Sequence, residues 1–201
     1  MTRHALAEAY RSLGQQRLME GSAGNISVRT SSGMLISPTR TTPEQITPEA
    51  FIDMPLNAAA PGASSEWFFH AAIYQDRPDV QAIVHTHSDH CTALACLNRA
   101  LPAFHYMVGT FGGDDVRCAP YVTFGTPMLA TLAVDALRGR TACLLANHGM
   151  IATGPTLEKA MMTTRLLEQL ARQYLLCRAA GTPRILTPSE MAEAHERFRS
   201  Y

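Results

Sequence analysis

The sequence predicts one α/β domain built on a mixed β-sheet, and two kinds of pattern lead to that prediction. Two short alternating runs, residues 26–29 and 34–37, flank a glycine-containing turn and predict a β-hairpin. Apolar residues at three- and four-residue spacing, most extensively over residues 156–180, predict helices among the strands. Hairpins combined with helices indicate a mixed sheet and not a purely parallel one.

The predicted elements are separated by capping residues, glycine-containing turns and prolines. Most predicted helices begin after a hydroxyl residue that can accept a backbone N–H bond. The predicted helices cover residues 3–20, a short segment from 42, 64–74, 88–97, 125–137, 156–180, and a last segment from 187 or 189 to 201. The predicted strands cover residues 26–29, 34–37, 51–54, 82–88, 103–108, 118–121, 142–146 and 150–154.

Length and composition limit the classes of function. A chain of 201 residues suits a single domain over residues 1–201 with a sizeable core. Because 17 basic and 17 acidic residues balance, neither nucleic acid nor an anionic membrane is expected as a partner. No apolar run approaches the roughly 20 residues of a membrane span, and charges interrupt the N-terminus where a signal core would lie. We therefore expect a cytoplasmic protein whose five cysteines are reduced.

Two histidines stand at the end of the strand predicted over residues 82–88. Side chains two apart in a strand point to the same face, so His85 and His87 lie side by side. Such a pair is half of a divalent-metal site, although two hydrogen-bonded histidines at a strand end would fit the pattern as well. His148 follows another buried strand, at a turn that Gly149 permits, and supplies a third imidazole. Three histidines with one open position are typical of a catalytic zinc site.

Glu66 near a helix start could be a fourth ligand or a general acid/base, or could only complement the helix dipole. His70, one turn after Glu66, could also reach a metal, but like His90 and His105 it is more typical of a hydrogen-bonded core residue. Several small polar segments could bind an anion through backbone N–H groups or hydroxyls, although each alone is only a turn or a cap. These segments are Gly24-Asn25, Thr39 and Ser64-Ser65.

Seven short motifs follow one another along the chain: residues 24–29 (GNISVR), 36–39 (ISPT), 64–67 (SSEW), 84–87 (VHTH), 105–107 (HYM), 118–121 with 123–126 (CAPY, TFGT), and 148–149 (HG). Together, and in this order, they give the chain a resemblance to the class II aldolase/adducin family, and within it to the aldolases of L-fuculose 1-phosphate. The resemblance covers nearly the whole chain and implies a three-layer α/β/α domain with a mixed, largely antiparallel central sheet.

The resemblance also implies the contents of the active site. It implies a homotetramer with active sites between subunits, and zinc, with manganese or cobalt as other candidates, held by Glu66, His85, His87 and His148. The substrate phosphate would lie against Gly24, Asn25, Thr39, Ser64 and Ser65. Tyr106 would transfer a proton at the aldehyde oxygen, reaching in from a neighbouring subunit, and Tyr201 would close over the site.

The expected reaction is reversible cleavage of a ketose 1-phosphate, resembling L-fuculose 1-phosphate, into dihydroxyacetone phosphate and a small aldehyde. A dication stabilises the enediolate charge of such a cleavage, and a carboxylate beside it can transfer the proton. Arg40 departs from the family motif, which has glycine after Ser-Pro-Thr, so a carboxylated or unphosphorylated substrate stays open. The alternatives are a sugar-phosphate 4-epimerase, a metal-dependent decarboxylase, a zinc hydrolase and an adducin-like interaction domain.

Overall fold

A seven-stranded sheet forms the centre of the structure, a computed structural model that describes residues 2–200. The strands are β1 Gly24–Arg29, β2 Met34–Ile36, β3 Ile52–Met54, β4 Ala82–Thr86, β5 Leu101–Pro102, β6 Asp115–Val116, β7 Cys118–Ala119, β8 Ala142–Leu145 and β9 Gly149–Gly154. The central sheet has the order β3-β2-β1-β4-β9-β8-β7, and β5 pairs with β6 outside it. Within the described residues, only the β7–β8 pair of the central sheet is parallel, which confirms a mixed, largely antiparallel sheet.

Helices cover both faces of this sheet. They are α1 Arg3–Gln15, α2 Trp67–Asp76, α3 Asp89–Cys96, α4 Pro127–Ala136, α5 Leu157–Ala180 and α6 Pro188–Arg199. Alternation along β4 shows the two faces, because Ile83 packs in the cluster with α2 and α4 while Val84 packs in the cluster with α1. The three-layer arrangement that the resemblance implies is therefore confirmed. Among residues 2–200, no helix is both long enough and apolar enough to cross a bilayer.

Several predicted elements differ from the structure. The strands predicted over residues 82–88 and 118–121 end at Thr86 and Ala119. The prediction of a strand over residues 103–108 is wrong, because Tyr106–Phe111 forms a 3₁₀ helix. This helix begins where His105 Nδ1 accepts the Met107 N–H at 3.2 Å, and it ends at Gly112, which has φ 97°. The first helix ends at Gln15 and not at residue 20, because Arg17 adopts a left-handed conformation at φ 55°. The short helix predicted from residue 42 is a turn, followed by a 3₁₀ helix at Pro48–Ala50.

Candidate metal centre

Two of the four candidate ligands lie at the end of β4: His85 is in the strand and His87 directly follows its last residue, Thr86. Period-two alternation directs His85 and His87 to the face covered by α2, and Thr86 to the opposite face. His85 is fully buried, and its Nδ1–H donates to the carbonyl of Met150 in β9 at 2.8 Å. This bond leaves the lone pair of Nε2 facing the centre, which is the tautomer that a metal ligand requires.

The turn between β8 and β9 delivers the third imidazole. Asn147 adopts φ 54°, which bends the chain so that His148 reaches the same point as the β4 histidines. Gly149 is needed here, because a Cβ at that position would lie 2.5 Å from the Thr86 carbonyl oxygen and 2.9 Å from Cδ2 of His87. The close approach of β9 to the end of β4 therefore requires the absence of a side chain.

Glu66 supplies a carboxylate from the residue that precedes helix α2. Its backbone N–H donates to Oγ of Ser64 at 3.3 Å, which fixes the turn before the helix. Its Oε2 lies 3.2 Å from Nε2 of His85, and its Oε1 lies 3.0 Å from Nε2 of His148. The structure thus brings Glu66 to the three histidines.

The four side chains form one compact donor set. Glu66, His85, His87 and His148 each offer one ligand atom, and these atoms all lie within 4.8 Å of one another. The three imidazole rings are spaced evenly, with centroids 4.8 to 4.9 Å apart. Three histidines and one carboxylate form a donor set that suits zinc and accommodates other divalent transition metals.

Two features of the centre suit a bound cation. Nε2 of His85 lies 3.0 Å from Nε2 of His87 and 3.2 Å from the Glu66 carboxylate, so electron-rich atoms crowd together. Oε1 of Glu66 is buried and has no hydrogen-bond partner among the described residues, although His148 is near. A buried carboxylate oxygen without a partner is costly unless a positive charge compensates it. The residues therefore fit a divalent metal.

The pKa values of two of the four donors are shifted toward the protonation states that bind a metal. Burial alone would raise the pKa of the Glu66 carboxyl, but His85 and His148 together lower it below its usual range. Burial, together with the neighbouring histidines, lowers the pKa of His87 to about 4. Because ligating carboxylates are ionised and ligating imidazoles neutral, both shifts favour metal binding near neutral pH.

A buried polar chain lies behind the carboxylate and contains His70, which is not one of the four donors. Nδ2 of Asn25 donates to Oε2 of Glu66 at 2.9 Å, and Nε2 of His70 lies 2.5 Å from Oδ1 of Asn25. Oγ of Ser27 lies 2.7 Å from Nδ1 of His70 and 2.9 Å from the Tyr74 hydroxyl. Burial lowers the pKa of His70 to about 3, so this histidine is a neutral hydrogen-bonded core residue, as predicted.

A cavity of about 390 Å³ gives access to the centre. Glu66, His87 and His148 form part of its wall, so a small molecule in the cavity can reach three of the four donors. The remaining lining residues are Ser22, Ala23, Gly24, Ser65, Tyr121, Val122, Phe124 and Asn147. The sequence motifs include residues 118–121 and 123–126, but nothing in the sequence singled out their side chains, or Asn147, as part of the site.

The predicted phosphate-binding residues surround this region to different extents. Gly24 and Ser65 line the cavity. Asn25 and Ser64 are buried beside it, with their side chains bonded to Glu66 and its backbone. Thr39 is exposed, and its backbone N–H donates to Gly62, next to the segment that leads into Ser64.

The remaining candidate residues lie elsewhere. Tyr106 is 52% exposed and stacks on His105, and it does not line this cavity. Tyr201 lies outside the described residues. Arg40 is exposed and adopts a left-handed conformation at φ 56°, which explains why glycine suits this position. His90 bonds to Glu168 at 2.6 Å, away from the donor set.

Comparisons with known proteins give matches over nearly the whole chain. The family model described as Class II Aldolase and Adducin N-terminal domain matches residues 4–175. A 5-methylthioribulose-1-phosphate/5-deoxyribulose-1-phosphate aldolase of Rhodospirillum rubrum is 46% identical over 202 residues, covering 99% of this chain and 91% of the relative. An L-fuculose phosphate aldolase of Escherichia coli K12 is 44% identical over 188 residues, covering 92% of this chain and 87% of the relative. The solved structure of an L-fuculose 1-phosphate aldolase has a TM-score of 0.93 and 36% identity, covering 98% of this chain and 96% of its own.

Proposed function

Since this chain belongs to the class II aldolase and adducin family, we propose that it is a metal-dependent aldehyde-lyase that reversibly cleaves a ketose 1-phosphate. The products would be dihydroxyacetone phosphate and a small aldehyde. The observation that carries the proposal is the donor set of Glu66, His85, His87 and His148, within 4.8 Å of one another and open to a cavity. A zinc-type dication held there would act as a Lewis acid, favouring electron flow from the broken carbon–carbon bond toward the ketone oxygen.

Glu66 is the residue proposed to transfer the proton. Its Oε1 is the buried carboxylate oxygen without a hydrogen bond, and the residue lines the cavity where substrate would lie. In the cleavage direction it would donate a proton to the carbon that becomes the hydroxymethyl carbon of the triose product, and in the reverse direction it would remove that proton. In the condensation direction its lowered pKa leaves it ionised and therefore able to accept that proton at neutral pH. In the cleavage direction it must first take up a proton, and the substrate hydroxyl that becomes the aldehyde oxygen releases one in the same step.

The phosphate is proposed to bind beside Gly24, Asn25, Thr39, Ser64 and Ser65. Three backbone contacts support this placement, because they hold the Thr39 loop against the segment before α2. The Thr39 N–H donates to Gly62 at 2.9 Å, the Ser64 N–H donates to Ser37 at 3.1 Å, and Pro38 pairs with Ala63. The free N–H groups at the start of α2 would then face an anion.

We propose that residues of a neighbouring subunit act on the aldehyde end of the substrate. Tyr106 is exposed and outside the described cavity, which suits a phenol that serves a different copy of the site. We propose a homotetramer in which Tyr106 transfers a proton at the aldehyde oxygen and Tyr201 helps to close the site. A cytoplasmic location is proposed with it.

The names of the relatives agree on the phosphorylated part of the substrate and differ on the rest of the sugar. One relative is named for 5-methylthioribulose 1-phosphate and 5-deoxyribulose 1-phosphate, and the other for L-fuculose phosphate. We propose that this chain accepts the same phosphorylated ketose end. The aldehyde released, whether lactaldehyde or a different small aldehyde, is a matter for the assay.

A product assay tests this proposal. Metal-loaded protein is incubated with L-fuculose 1-phosphate, ribulose 1-phosphate, 5-deoxyribulose 1-phosphate and a carboxylated analogue, and dihydroxyacetone phosphate is measured by coupled reduction. We expect triose phosphate from at least one ketose 1-phosphate, and a loss of turnover of about a hundredfold or more in Glu66→Gln with the fold retained. An isomer of unchanged mass, carbon dioxide from the acid, or wild-type turnover in Glu66→Gln would contradict it.

A further inference from the structure

A buried polar seam connects the metal centre to the far end of helix α2. The seam consists of Asn25, Ser27, His70 and Tyr74, each at most 3% exposed. The four side chains form one continuous hydrogen-bonded chain that ends on Oε2 of Glu66. Buried polar groups in such a chain are stable only when each is satisfied, so its arrangement is restricted.

The seam is continuous because the spacing of side chains along β1 nearly equals their spacing along α2. Asn25 and Ser27 are two apart on one face of β1, where a two-residue step advances about 6.6 Å. Glu66, His70 and Tyr74 are four apart along α2, where a four-residue step advances about 6 Å. The steps are nearly equal, so successive rungs of strand and helix stay opposite each other from the metal centre outward.

The direction of every hydrogen bond follows from the carboxylate. Glu66 can only accept, so Asn25 presents its amide N–H to Oε2 and its Oδ1 to His70. Nε2 of the neutral His70 must then carry the proton, which leaves Nδ1 to accept from the Ser27 hydroxyl. Ser27 in turn accepts from the Tyr74 hydroxyl. The ring of His70 therefore has a single consistent tautomer.

We propose that His70 is a positioning residue for the metal centre, acting through Asn25 to fix the orientation of the Glu66 carboxylate. With Oε2 held by Asn25, Oε1 is turned toward Nε2 of His148, 3.0 Å away, and it has no hydrogen bond among residues 2–200. Partners behind a metal ligand typically change metal affinity or activity by about 10–100-fold when they are removed. The inference deepens the proposed function but is tested without any substrate.

Cobalt binding to the intact chain is the first test. Cobalt(II) is titrated against a chelator, and its visible absorption spectrum reports the geometry of the bound ion. We expect His70→Leu to weaken cobalt affinity by about 10–100-fold and to change the spectrum. His70→Gln should restore both to near wild type, because its amide can donate to Asn25 and accept from Ser27. His90→Leu is the matched control, since it removes a hydrogen-bonded histidine outside the seam and should leave cobalt binding unchanged.

Two further measurements decide cases that His70→Leu alone would leave open. If that variant does not fold, Ser27→Ala replaces it, since loss of the donor to Nδ1 should weaken cobalt binding measurably while removing only a hydroxyl. Nitrogen-15 NMR of the wild-type protein should show His70 protonated at Nε2 and unprotonated at Nδ1. Wild-type cobalt affinity and spectrum in the folded His70→Leu or Ser27→Ala variant, or the opposite tautomer, would overturn the proposal. Absence of aldolase turnover in the wild type would refute the proposed function without affecting this result.

Discussion

A single carbon atom added at Gly149 should disturb the candidate metal centre. The Cβ of Gly149→Ala would lie 2.5 Å from the Thr86 carbonyl oxygen, roughly 0.9 Å inside the 3.4 Å at which ordinary contact begins. It would also lie 2.9 Å from Cδ2 of the His87 ring, roughly 0.5 Å too close. The Thr86–Met150 pairing of β4 with β9 holds the backbone in place, so the His87 ring must move or the strands must separate.

The expected magnitude follows from these overlaps. Overpacking of this kind costs about 1–3 kcal/mol, which for a chain of this size lowers Tm by roughly 2–12 °C. A shift of about 0.5 Å also exceeds the roughly ±0.2 Å within which metal–ligand distances normally fall, so metal affinity should drop as well. Thermal unfolding of the apoprotein and chelator competition measure the two effects separately.

Gly181→Ala is the control for this prediction. A Cβ added at Gly181 would meet no atom within 4 Å, and the backbone there is extended at φ 163°, so the added methyl group should change neither quantity. If Gly149→Ala retained the Tm and metal affinity of the wild type, the close approach of the β8–β9 turn to β4 would not be what aligns the histidines.

Two other predictions follow from buried and exposed charges. Histidine in the unfolded chain has a pKa near 6.5, whereas His70 in the folded apoprotein has a pKa of about 3. Between these values the unfolded state binds more protons than the folded state, so the stability of the apoprotein should fall as the pH falls below about 6.5. Chemical denaturation between about pH 6 and 5 should give a steeper slope for wild type than for His70→Gln, by about 1 kcal/mol per pH unit, and equal slopes would contradict a neutral buried His70. Arg40→Gly should raise stability by up to about 1 kcal/mol, because glycine adopts the left-handed conformation at φ 56° without strain. Its KM for a ketose 1-phosphate should stay within about twofold of wild type, and a large rise would show that Arg40 binds substrate.

The part of the candidate metal centre that could be predicted from the sequence is the part set by the local geometry of single strands. Alternation through the end of β4 and into the next residue places His85 and His87 on one face whatever surrounds them, and the turn after β8 places His148 at a strand end. That β8 and β9 lie next to β4 is a matter of topology, which no short-range pattern determines. The family resemblance supplied that information, and the structure confirms that the four side chains meet.

The polar seam escaped prediction for the same reason. The alternation of Asn25 and Ser27 and the four-residue spacing of Glu66, His70 and Tyr74 are visible in the sequence. Each pattern alone also fits an ordinary polar face of a strand or a helix. Only the packing of α2 along β1 turns them into one hydrogen-bonded chain.

The misassigned segment near residue 103 has a local cause. Residues 103–108 are mostly apolar or aromatic, which favours a strand by propensity. Nδ1 of His105 caps the segment by accepting the Met107 N–H, and this cap, together with Gly109 and Gly112, allows a tighter 3₁₀ turn instead. Helix α6 then packs on this turn, since a Cβ at Gly109 would lie 3.1 Å from the His195 ring.

Zinc K-edge X-ray absorption on the wild-type protein tests the central claim most directly. The account predicts one tightly held ion per chain, coordinated by three imidazole nitrogens and carboxylate or solvent oxygen at about 2.0–2.2 Å. Fewer than three imidazoles around the ion, or no stoichiometric uptake at all, would show that Glu66, His85, His87 and His148 do not form a metal centre.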